Sequence, residues 1–236
     1  MTTFLQVHGA FRGACSWDRV AALLRARGHV VVVPTLTGMG EKAHLLSPRQ
    51  NVDAYAEDII GELRCRDLVD VTLVAHSFGG YPATVAADKE WERIGRLVYL
   101  DAAAPVDGQA NVDASPGATA AWVHAAGADG WTVAPFPVEA LELNAADRDM
   151  VRDRLTPMPI TAFLQRVSLT GAVDRIPRLD FVFATGWSST PYRAQADRLA
   201  ERPGWTVTTI DTGHEVMLDA PQWVADFLIG EAPDAR

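Results

Sequence analysis

Apolar residues fall along the chain in short continuous runs, separated by longer stretches in which they recur every three or four positions. That pattern predicts strands alternating with amphipathic helices. Residues 4–7 form the first strand-like run, which stops at His8-Gly9-Ala10-Phe11-Arg12-Gly13, where glycines release the backbone into a loop. Ser16 is placed to cap a helix reaching residues 24–25, on which Val20, Leu23 and Leu24 share a face, and Gly28 ends it before the β-branched run 29–33. The pattern repeats with a helix over 51–66, a strand over 71–75, a helix over 78–89 and a strand over 96–100. Strands that read as unbroken Val/Leu runs are buried on both faces, so an α/β fold with a parallel sheet between helical layers is expected.

Between residues 105 and 176 the alternation lapses into prolines, alanines and tryptophans, which reads as an insertion of helical character. It resumes with a strand over 179–184, a helix over 192–200, a strand over 206–210 and a last helix over 221–229. The expected organisation is a core built from residues 1–104 and 177–236, interrupted by a lid at 105–176. No internal repeat is evident.

With 48% hydrophobic and 22% charged residues, the 236-residue chain can bury a full core. Its 21 basic against 30 acidic residues, a net charge of −9, disfavours a nucleic-acid partner, because phosphate affinity rests on clustered Lys and Arg. No apolar run approaches the roughly 18 residues needed to span a bilayer, and the start lacks the signature of a signal peptide, so a cytoplasmic location without membrane association is expected. Cys15 and Cys65 have neither CxxC nor metal-ligand spacing and read as two reduced thiols, with no metal implied.

The densest chemical signal is Val74-Ala75-His76-Ser77-Phe78-Gly79-Gly80, a serine between an apolar strand and a helix with small residues two before and two after. In a nucleophile elbow those small neighbours let a strained turn pack and lift the serine hydroxyl into a cleft. Ala75 stands where the G-x-S-x-G pattern has glycine; the alternative reading of Ser77 is a helix N-cap on a glycine-bearing turn.

Taken in order, Val7-His8-Gly9-Ala10, the Ser77 elbow and Thr212-Gly213-His214 resemble the α/β-hydrolase fold nearly end to end. More narrowly, the run from His8 to Trp17 and the run Pro34-Thr35-Leu36-Thr37-Gly38-Met39-Gly40 resemble the plant methylesterase and hydroxynitrile lyase group with its bacterial relatives. The resemblance implies a mostly parallel central sheet, helices on both faces, and a helical lid inserted after the strand that ends at Leu100.

A serine hydroxyl needs a base to take its proton, and His214, just after the strand 206–210, is the candidate. The resemblance makes His8 and His76 structural supports, while His29, His44 and His124 lack a comparable setting. Many relatives place an aspartate after the penultimate strand, but here that loop reads Ala184-Thr185-Gly186-Trp187-Ser188-Ser189-Thr190-Pro191, with no carboxylate. Asp101, closing the strand 96–100, is the expected substitute, with capping of the turn at 102–105 as its alternative and Asp107 and Asp211 in reserve. The backbone N–H groups of Ala10 and Phe78 are the expected oxyanion donors.

Trp122, Trp131, Phe136, Phe163 and Leu164 in the insertion, with Phe11 and Trp187 on rim loops, suggest an apolar pocket; Arg12 reads as a solvated arginine and the stretch from Glu41 to Arg49 as a surface loop. The leading expectation is hydrolysis of a small, largely apolar ester through an acyl-enzyme on Ser77, without a cofactor. Alternatives are C–C hydrolysis or cyclisation of a ketone or polyketide-like compound and, further off, a ligand-binding module. The lyase reaction ranks low, since that group has a lysine after the histidine and a threonine after the first-loop histidine, where this chain has Glu215 and Gly9. The partner is expected to be a small-molecule substrate, with a homodimer left open.

Overall fold

Six strands, all parallel, form the central sheet in the order β2-β1-β3-β4-β7-β8: β1 Thr3–Val7, β2 Val30–Val32, β3 Val71–Ser77, β4 Ile94–Ala102, β7 Arg178–Ala184 and β8 Trp205–Ile210. The computed structural model describes the whole chain apart from residues 115–125, 128, 189 and 232–236. Alternate residues of each strand serve opposite layers, as a pleated strand requires. Leu5, Leu73, Leu97, Tyr99 and Phe181 face one core, with Tyr55, Ile59 and Ile60 of helix α2 (Val52–Cys65) and Ala83 and Ala86 of helix α3 (Gly80–Lys89). Phe4, Val74, Val98, Leu100 and Val182 face the other, under helix α1 (Asp18–Ala26) and the last helix, Pro221–Ile229. The buried Arg96 ties that second layer down. Its Nε donates to Asp180 at 2.7 Å across the β4–β7 pair and its guanidinium to the Leu228 carbonyl at 2.8 Å.

The helix ends show where local rules hold and where packing overrides them. Asn51 caps α2 by accepting from the Ala54 N–H at 2.9 Å, and Gly28 sits at φ +80° after α1, as a terminating glycine should. Ser16 does not cap α1: it lies inside a 3₁₀ turn, Ala14–Trp17, that leads straight into the helix, and no side chain caps that end. Helix α3 begins two residues later than expected, because Phe78 and Gly79 form the turn that leaves β3.

Between β4 and β7, residues 105–176 carry short helices at Asn111–Ala114, Arg148–Arg152 and Thr161–Leu164 and 3₁₀ turns at Val138–Leu141 and Ala172–Arg175. The segment is not helical alone: β5 (Thr132–Val133) and β6 (Met158–Pro159) form a small antiparallel ribbon within it. No described helix is long and apolar enough to cross a membrane. Cys15 and Cys65 are both free thiols.

Candidate active site

β3 ends in the centre of the sheet, and its last residue, Ser77, takes φ +55°, a left-handed conformation that a non-glycine residue adopts only under tight constraint. The constraint is visible in the glycines around it. A Cβ on Gly79 would come within 2.4 Å of the His8 carbonyl oxygen, and one on Gly80 within 1.8 Å of the Ala103 carbonyl oxygen, so only hydrogen fits at either place. Gly9 approaches Ser77 from the first loop so closely that its Cβ would meet the serine Cβ at 2.9 Å. Ser77 is therefore an elbow residue and not a helix cap; the residue before α3 is Gly79.

The Ser77 hydroxyl donates to His214 Nε2 at 2.9 Å, and His214 Nδ1–H donates to Asp101 Oδ2 at 2.7 Å. The two partners fix the imidazole tautomer, because a carboxylate can only accept. Asp101 is fully buried near the end of β4, at φ +42°, and its second oxygen accepts from the Ala184 N–H of β7 at 3.1 Å. It thus reaches the base from the strand next to the nucleophile's own and does not cap the turn that follows it. Asp107 accepts from the Leu169 N–H, and Asp211 is exposed, its place on the imidazole taken by Asp101.

Two further histidines hold the loops that carry these groups. His8 accepts from the Leu36 N–H at 3.0 Å through Nε2 and donates from Nδ1 to the Gly9 carbonyl at 2.8 Å. His76 donates from Nε2 to the His214 carbonyl at 3.0 Å. Burial pushes both imidazoles down, His8 to about 4 and His76 to about 3, so both remain neutral at physiological pH. Ala10 and Phe78 line the same cavity as Ser77, and their N–H groups meet no acceptor among the described residues.

That cavity, of about 260 Å³, opens above Ser77. Phe11, Phe136 and Phe163 line it together, with ring centroids 5.3 and 5.8 Å from Phe11, and Trp187 and Tyr192 line it against His214. Trp131 and Leu164 do not line it; Leu164 points outward, and Trp122 lies outside the described residues. Sequence reasoning missed Tyr192, whose place at the start of a helix concealed that it lies against the base.

Arg12 corrects another expectation. It is buried, not solvated, and bonds Glu215 at 2.5 Å inside the cavity wall. Burial opposes the charge on Glu215, but the Arg12 guanidinium, together with His76 and His214, outweighs burial and holds the carboxyl down to about 2. The pair neutralises itself, so the negative charge expected beside the base is compensated by a partner 203 positions away in sequence. The stretch 41–49 is a surface segment, with a 3₁₀ turn over Gly40–Leu45.

A strained serine on an elbow at the head of a parallel sheet, bonded to a histidine after the last strand, defines the α/β-hydrolase class. Residues 7–227 match the alpha/beta hydrolase family, and the chain belongs to it. It is 34% identical, over 97% of its own length and 98% of the relative's, to a carbendazim hydrolyzing esterase of Nocardioides sp. (strain SG-4G). It is also 34% identical to methylesterase 9 of Arabidopsis thaliana, over 44% of this chain and 41% of that one. In fold it is similar to an extracellular alpha/beta-hydrolase from a Paenibacillus species. That match has a TM-score of 0.84 and 24% identity, and covers 99% of this chain and all of the other.

Proposed function

We propose that this carboxylic ester hydrolase of the α/β-hydrolase family cleaves a small, largely apolar ester through an acyl-enzyme on Ser77, with His214 as the base and Asp101 as its orienting acid. Ser77 Oγ attacks the ester carbonyl while His214 Nε2 takes its proton, and the oxyanion that forms is held by the N–H groups of Ala10 and Phe78. His214 then gives the proton to the leaving alcohol. A water activated by the same nitrogen attacks the acyl-enzyme, and the acid departs. Asp101 stabilises the imidazolium at both stages without taking its proton. No step calls on a cofactor.

The observation that supports this reading is the unbroken hydrogen-bonded line Ser77–His214–Asp101 at the floor of an aromatic cavity. The walls favour apolar substituents, and the self-neutralised Arg12–Glu215 pair offers no net charge to attract an ionic substrate. The test is turnover of p-nitrophenyl esters of increasing acyl length, with Ser77→Ala and His214→Ala beside the wild type, and labelling by a fluorophosphonate probe. Wild type is expected to hydrolyse short acyl esters and take up the probe at Ser77, and each variant to lose at least about 10³-fold in kcat. A folded wild type that turns over no ester and takes up no probe would remove the acyl-enzyme reading.

A further inference from the structure

The loop that carries an acid in many relatives lays an indole against the base instead. The Trp187 ring stacks on the His214 imidazole with centroids 4.1 Å apart and planes 29° from parallel. The two hydrogen bonds of His214 fix its two nitrogens, to Asp101 and Ser77, and leave tipping about the line joining them to be resisted by the rings packed on it, Trp187 and, at 4.6 Å, His76. The indole is the nearer and more nearly parallel of the two. The indole face is also the negative end of a quadrupole and attracts an imidazolium more than a neutral imidazole.

We infer that Trp187 is a positioning residue for His214, holding the ring in line with Ser77 and stabilising the cation formed when the serine proton is taken. The inference rests on the reading of His214 as the base. Trp187 is itself held: its Nε1–H donates to the Ala140 carbonyl at 3.0 Å, and the adjacent Ser188 N–H donates to the Glu142 carboxylate at 3.1 Å. From the same stretch the Leu141 carbonyl accepts from the His214 N–H at 3.3 Å, and Glu142 passes so close to Gly213 that a Cβ there would meet its carbonyl oxygen at 2.4 Å. Residues 138–142 therefore grip both the loop bearing the indole and the loop bearing the base.

The charged and titratable groups facing His214 are Asp101 on β4, Ser77 and His76 on β3, Glu215 with Arg12 behind it, and Tyr192 from the far end of the Trp187 loop. Of these, Tyr192 also packs against the indole, with ring centroids 6.1 Å apart, and a substitution at Trp187 leaves the others in place. Trp187 also lines the cavity, and a residue that was only pocket wall would alter KM alone.

Trp187→Leu keeps an apolar bulk over the imidazole and removes the quadrupole, whereas Trp187→Phe keeps an aromatic face. The experiment is an NMR titration of the His214 Cε1 proton in wild type and both variants, together with kcat and KM on a p-nitrophenyl ester. The expected result for Trp187→Leu is a His214 pKa lower by about half a unit to one unit and a kcat lower by about tenfold, with Phe restoring most of both. An unchanged or raised His214 pKa in Trp187→Leu, or a loss confined to KM, overturns the inference. If the pKa falls as expected but the wild type hydrolyses no ester, the acyl-enzyme reading fails and the stacking role stands. Trp187→Met carries the same outcomes should the leucine variant not fold.

Discussion

Asp101 is worth following as a single residue, because its side chain accepts both the imidazole Nδ1–H and a backbone N–H of β7 while excluded from water. Replacing one of its oxygens by an amide nitrogen would put a donor against one of those two N–H groups. In Asp101→Asn the imidazole then loses its preference for the tautomer that leaves Nε2 free to accept from Ser77. The expected outcome is a kcat lower by about 10³- to 10⁴-fold with a nearly unchanged melting temperature, measured on the ester that wild type turns over best. A kcat within tenfold of wild type would show that the imidazole is oriented by something else, and Trp187 would then be the group left to do it. The positions of Ser77 and Asp101 could be anticipated because each stands at the end of an apolar strand readable from its run of Val and Leu, and that of His214 because it follows the strand Trp205–Ile210 by a short turn. Arg12 could not be read, since nothing local in His8-Gly9-Ala10-Phe11-Arg12 announces a partner 203 residues further on.

Among the elements, the β3–turn–α3 unit has the least slack. The first turn of α3 lies so close to β4 that the Gly80 Cα almost touches the Ala103 carbonyl, while the Ala103 N–H donates to the Ser77 carbonyl at 3.0 Å. One methyl group at Gly80 must therefore push α3 away from the end of β4, which also carries Asp101. Gly80→Ala is expected to lower stability by about 2 to 4 kcal/mol and to reduce turnover by more than its effect on the folded fraction explains, read by urea titration and by kcat at a temperature where the variant is folded. Unchanged stability would mean that the turn can relax, contrary to the contact. The long core elements were legible because their apolar patterns are continuous. The two-residue strands Thr132–Val133 and Met158–Pro159 were not, because so short a pair exists only through its long-range partner and leaves no periodicity. Ser16 misled for a related reason: its side chain is of the right type for a cap, but Gly13 and the 3₁₀ turn decide where the helix starts.

At the scale of the whole molecule, the buried histidines link the site to global stability. His8 binds the first loop to Leu36 and His76 binds the backbone of His214, and each does so in its neutral form. Their pKa values fall from 6.5 in the unfolded chain to about 4 and about 3 in the native one, burial being the main cause. The unfolded state therefore takes up two protons, between pH 6.5 and 4, that the folded state refuses, so stability must fall as pH falls through this window. With both groups in that regime the slope approaches about 2.7 kcal/mol per pH unit. Glu215 extends the trend downward, since its native value of about 2 lies below the ordinary 4.5, and the unfolded chain gains a third proton first. Above pH 6.5 these groups contribute no slope. Urea unfolding at pH 7.5, 6, 5 and 4.5 should show stability that is level at the top and steepens downward. A chain equally stable at pH 7.5 and 5 would mean that His8 and His76 protonate within the fold. Protonation would cost His8 Nε2 its lone pair and with it the bond to Leu36, so the oxyanion loop would loosen, and activity would decline while the protein stayed folded.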